Sequence, residues 1–172
     1  MPKKSQNRIQ RRSLLASMGG LITLWSQSMN TTAHAATPAA IPLSAKGGFE
    51  VKIGPPEALS SPADGAALFK RSLNKHYSGE LLGGAIGEMQ MAGQPQLGEA
   101  AYTALESFVG ELQGRKGSFA LAHLGLMSGG KQDLRICIVP GSGLGELVGI
   151  SGELILRIEA GVHFYELNYR LN

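Results

Sequence analysis

The stretch Val139-Pro-Gly-Ser-Gly-Leu-Gly-Glu-Leu-Val-Gly-Ile-Ser-Gly152 decides how this chain folds. Glycines at 141, 143, 145, 149 and 152 let the backbone take positive φ at several corners and pass close to neighbouring strands. No helix tolerates that density, and a phosphate-binding loop would need a helix directly after it. The next residues are instead Glu153-Leu-Ile-Leu-Arg-Ile-Glu159, a strand pattern. The stretch is therefore a corner that leads one apolar strand into a C-terminal strand pair.

Outward from that corner, the rest of the chain has strand character. Phe49, Val51 and Ile53 alternate with Glu50 and Lys52, the period of a half-buried strand, and Gly54-Pro-Pro56 ends it. Residues 57–67, with Ser60-Ser-Pro62 and Asp64-Gly65, read as a long surface loop. Strands are expected over 68–77, 81–91, 102–112, 118–127 and 133–139, then over 153–159 and 162–171 beyond the corner. The links are short: Ser78-Gly79, residues 93–98, residues 113–117, residues 128–131 and Ala160-Gly161. Eight strands so linked, with no helical periodicity, predict an all-β antiparallel meander, and closure into an eight-stranded barrel removes both exposed edges.

The chain has 172 residues, enough for one domain with a real core. Its formal charge of +3 is uneven, because Lys3, Lys4, Arg8, Arg11 and Arg12 fall within residues 1–35, where there is no acid. Five of 16 basic side chains lie there, leaving 11 against 13 acids, a net charge of −2. Nucleic-acid binding thus has no basic stripe to rest on. Residues 1–35 have a basic start, an apolar run from Leu14 to Trp25, and Ala33-His-Ala35 as a small-x-small cleavage site, which predicts an export signal. Arg11-Arg12 before Ser-Leu-Leu resembles a twin-arginine signal, although Gln10 and Leu14 depart from the usual residues. The run is too short and too interrupted by glycine to anchor in a bilayer, so the expected location is periplasmic or secreted, after cleavage following Ala35. Residues 36–45 read as a flexible tether and 46–172 as the barrel domain. Cys137, flanked by Ile136 and Ile138, is expected to be a small buried residue; a lone cysteine forms no intrachain disulfide.

Three separated motifs bear on family. Phe119-Ala-Leu-Ala-His123, the 139–152 corner, and Gly161-Val-His-Phe-Tyr-Glu-Leu-Asn-Tyr169 resemble, in that order, the bacterial domain-of-unknown-function family thirty-two twenty-four. Leu144 departs from the pattern, standing where a threonine is expected. The resemblance runs from about Lys46 to the C-terminus and implies a barrel similar to allene oxide cyclase. It implies no activity, since a fold alone carries none.

Candidate chemistry sits on strand faces. Tyr102, Ala104, Glu106, Phe108 and Leu112 share one face, as do Phe119, Leu121, His123 and Met127. If these faces meet, Glu106 lies opposite His123 or one pair away, within reach in either register. A carboxylate and an imidazole in an apolar lumen can form a proton-transfer pair, or simply satisfy each other and fix the register. Glu88, aligned with Ile86 and Gln90, faces either lumen or water. His163, Tyr165, Leu167 and Tyr169 share a face, and rings with polar tips can line a pocket or fill a core. With Tyr102 and Phe108 these make the candidate ligand-binding set, and Glu106 and His123 the candidate catalytic pair. No metal-ligand spacing occurs, and no cofactor or metal is expected.

The sequence admits three functional readings. The first is a barrel that binds a small apolar molecule in or at its mouth. The second is an isomerase- or cyclase-like enzyme using the Glu106–His123 pair. The third is a homo-oligomeric structural module without ligand, supported by Ala120, Ala122, Leu124 and Leu126, which make the outer face of their strand apolar.

Overall fold

The computed structural model describes residues 41–172; the export signal expected over residues 1–35 and residues 36–40 of the expected tether lie outside the described residues. In chain order the elements are β1 (Leu43–Ile53), β2 (Glu57–Ala58), β3 (Leu68–Gly79), β4 (Leu81–Gln94), a 3-10 turn (Pro95–Leu97), β5 (Glu99–Leu112), β6 (Arg115–Ser128), β7 (Lys131–Ile138), β8 (Leu144–Gly145), β9 (Ser151–Glu159) and β10 (Val162–Arg170). The eight long strands pair antiparallel in the order β1-β10-β9-β7-β6-β5-β4-β3, and β1 also pairs β3. That last pairing closes the eight-stranded antiparallel barrel that the strand pattern predicts.

Turn chemistry accounts for the register. Three hairpins turn on two residues with positive φ: Gln113-Gly114 (48° and 81°), Gly129-Gly130 (57° and 73°) and Ala160-Gly161 (49° and 80°). Such turns carry the twist that matches their flanking strands. Because Leu112 pairs Arg115 directly, the 113–117 link is tighter than its sequence suggests, and β5 and β6 run to 14 residues each.

Three local expectations are corrected. The expected tether reaches too far along the chain, since β1 begins at Leu43 and Ala45 is fully buried opposite Leu167, within a β1–β10 pairing that runs from Leu43 to Phe49. The 57–67 loop holds β2, which pairs Lys70 and Phe69 of β3. Cys137 points outward and is half-buried, because Ile136 and Ile138 take the inward positions on either side of it.

The barrel interior is asymmetric along its axis. At one end the glycine-rich corner folds across the opening, and its Leu147 and Ile150 are buried against a core that includes Leu112, Phe119, Leu154 and Tyr169. A Cβ at Gly143 would collide with the Leu147 carbonyl, which is why that corner needs glycine there. No equivalent plug closes the other end among the described residues, and the barrel opens there into a cavity. On the outside, Leu82, Ile86, Leu105, Val109, Leu124 and Leu126 of β4, β5 and β6 stand 47–68% exposed.

Candidate functional site at the open end of the barrel

Alternation along three strands brings the buried polar groups together. β3 turns Leu73, Lys75 and Tyr77 inward, β5 turns Ala104, Glu106 and Phe108 inward, and β6 turns Phe119, Leu121 and His123 inward. Ala104 pairs His123 while Glu106 pairs Leu121, so the carboxylate and imidazole are one pair apart. Between β3 and β5 lies β4, whose facing residues are Ala85, opposite Lys75 and Phe108, and Gly87, opposite Leu73 and Glu106. These small residues let the long Lys75 side chain cross a whole strand to reach Glu106.

At the centre, Lys75 Nζ lies 2.5 Å from Glu106 Oε2, and the Tyr77 hydroxyl donates to Glu106 Oε1 at 2.5 Å. Lys75 also donates to the Tyr77 oxygen at 3.4 Å and sits 4.6 Å from the centre of the Phe49 ring, a cation–π contact. His123 Nε2 is 3.4 Å from Glu106 Oε2, but neither atom makes a well-aligned hydrogen bond. Lys75, Glu106 and His123 are the buried polar side chains of the interior, 7%, 2% and 8% exposed. Burial, the largest influence on Glu106, pushes its carboxyl up. The contact with His123, the charge and contact of Lys75 and the Tyr77 hydroxyl together outweigh burial and hold it at about 2. Burial, then the Glu106 charge, pushes the Tyr77 phenol far up, so it stays a donor.

Above this cluster is a cavity of about 220 Å³, lined among others by Phe49, Lys75, Met89, Tyr102, His123 and His163. Glu106 is not in its wall: it lies beneath, covered by its own partners. His163 stacks on Phe49 with ring centres 5.0 Å apart and 24° between planes. Across the mouth the Tyr102 ring lies over Gly125, filling the place where a Cβ would stand.

The residues singled out from sequence divide between the two ends. Glu106, His123, Tyr102 and His163 belong to the open end. Phe108 is wholly buried below, edge-on to Tyr77 and tilted against Phe119. Tyr165 spends its hydroxyl at the closed end, accepting from the Leu81 amide at 2.7 Å, and Tyr169 donates to Gln113 Oε1 at 2.7 Å. All three are buried in the core, and none of them lines the cavity at the open end. Glu88 faces water, 3.3 Å from Lys70 Nζ on the outer surface, and is no part of the lumen. His76, between the inward Lys75 and Tyr77, is exposed.

Lys75, Tyr77 and Phe49 escaped the sequence reading as site residues. A signal existed: Leu73, Lys75 and Tyr77 share a face by period two, which places a lysine on an otherwise apolar inward row. Among the described residues no group of three or more His, Cys, Asp or Glu side chains is placed to hold a metal ion.

Comparison with known proteins agrees on the family. The family model described as "Protein of unknown function (DUF3224)" matches residues 45–169. A crystal structure of a protein of unknown function from the DUF3224 family of Shewanella oneidensis MR-1 superposes with a TM-score of 0.71 at 39% identity, covering 77% of this chain and 98% of that one. No curated protein matches the chain.

Proposed function

The chain belongs to the DUF3224 family, and from that premise we propose that it is a ligand-binding barrel that takes a small, largely apolar molecule at its open mouth. The observation that carries this is the 220 Å³ cavity with apolar walls above buried polar groups. Binding sites pair such walls with a few fixed polar groups, and this one is below the roughly 300–1,000 Å³ usual for drug-sized ligands. The ligand is therefore small. The likeness to allene oxide cyclase expected from sequence adds nothing here, because barrel architecture brings no chemistry of its own.

A carboxyl held at about 2 is a weak base, so Glu106 serves better as a positioning group for Lys75 and His123 than as a proton acceptor. In the enzymatic reading of the same mouth, His123 would move the proton and Glu106 would orient it.

Native mass spectrometry of protein purified without detergent, combined with amide chemical-shift mapping with small apolar probes, tests the binding reading. Extra mass that leaves on denaturation, or probe shifts concentrated at Met89, Tyr102, His123 and His163, is the expected result. A clean mass together with probes that leave those residues unmoved would overturn it.

A further inference from the structure

Resting on that reading of the mouth, we infer that the polar group of the ligand is a neutral hydrogen-bond acceptor, a carbonyl oxygen, which takes a hydrogen bond from Lys75. Three observations carry this. The first is what the cavity can see. Lys75 and His123 are in its wall and Glu106 is not, so the one buried carboxylate is hidden behind its own partners. A ligand amine would meet the Lys75 charge and no carboxylate.

The second is spare donor capacity. An ammonium carries three N–H groups. The Tyr77 oxygen accepts one of them, the Glu106 carboxylate 2.5 Å away draws a second by charge, and the other contacts of the ammonium are the Tyr77 ring and the π face of Phe49, the latter itself cavity wall. The Lys75 side chain is only 7% exposed, so bulk water is poorly placed to serve the third. A carbonyl oxygen entering from the mouth would serve it.

The third is charge balance. Lys75 and Glu106 pair one cation with one anion in a nearly dry place. A ligand carboxylate would add a second buried negative charge with no second lysine or arginine in the wall to match it. A ketone or aldehyde adds no charge, and Phe49, Leu73, Met89 and Ile158 suit a small ring or short alkyl body.

Acetophenone, ethylbenzene and benzoate test this, because they share a ring and differ in the polar group. Titrated into the full protein, acetophenone is expected to bind roughly tenfold more tightly than ethylbenzene, the worth of one net hydrogen bond, and more tightly than benzoate. Its carbonyl stretch should move to lower frequency on binding. The double variant Lys75→Met/Glu106→Gln removes both charges together and should bind acetophenone and ethylbenzene alike. If that variant does not fold, the carbonyl stretch in the unaltered protein still decides. Equal binding of acetophenone and ethylbenzene with an unmoved stretch, or tightest binding by benzoate, would overturn the inference while leaving an apolar site at the mouth. Failure of all three probes to move the mouth residues would overturn the site reading itself.

Discussion

Glu106 touches Lys75, Tyr77 and His123, so changing it acts on three groups at once. Glu106→Gln keeps the shape but leaves the Lys75 ammonium buried without an anion, and should cost about 3–5 kcal/mol, read as a fall in the urea midpoint at neutral pH. Removing both charges in Lys75→Met/Glu106→Gln should recover much of that loss. The pH dependence has a definite sign. The Glu106 carboxyl is held at about 2 in the folded chain, below its unfolded value near 4.3, so its contribution is complete above about pH 4.3 and fades as pH falls toward 2. Stability measured across that interval should therefore drop more steeply for the unaltered protein than for Glu106→Gln; parallel curves would mean that Glu106 is not held low. The Glu106–His123 proximity was legible in sequence, because period two and a short hairpin bound where two residues on paired strands can lie. The Lys75–Glu106 contact was not, since the two residues lie two strands apart across the small residues of β4.

At the scale of single elements, glycines do two different jobs. Gly114 ends a two-residue turn with φ of 81° and has nothing within 4 Å of a built Cβ, so Gly114→Ala should cost about 1 kcal/mol from backbone strain alone. Gly125 is a seat for the Tyr102 ring, and Gly125→Ala must push that ring aside. Its cost should be about 1–3 kcal/mol, accompanied by shifted Tyr102 ring resonances that Gly114→Ala leaves in place. The corner that plugs the closed end depends on Leu147, which is wholly buried; Leu147→Ala should cost about 2–5 kcal/mol in a thermal or urea melt. The corner's glycine content was plain in the sequence, but its part in sealing the barrel was not. Leu147 and Ile150 are buried by residues far along the chain, and nothing in the local pattern marks them apart from the exposed Leu144 and Val148.

For the whole molecule, closure is uneven around the barrel. β5 is paired along its length on both sides, whereas β7 and β9 share one bridge, Cys137 to Glu153, reinforced by an exposed Arg135–Glu153 contact of 3.5 Å that is worth little. Hydrogen exchange should show β7 and β9 amides that face this seam exchanging well before those of β5; uniform protection around the barrel would contradict it. The opening between these strands is set by the 139–152 corner, which inserts a plug where a hairpin would otherwise hold its two strands in register.

Local pattern was sufficient for the strands, their antiparallel order and the tight turns, because alternation and turn chemistry act over a few residues and need no distant partner. It was sufficient too for a closed barrel, since a meander of this kind otherwise leaves two unpaired edges. Closure itself decided the rest. It made β1 the shared neighbour of β10 and β3, carried Lys75 across to Glu106, and sent Tyr165 and Tyr169 into a filled end while leaving Tyr102 and His163 at an open one. Those outcomes depend on strand stagger and on which side chains fill which level of the interior, quantities that exist only once all eight strands have met.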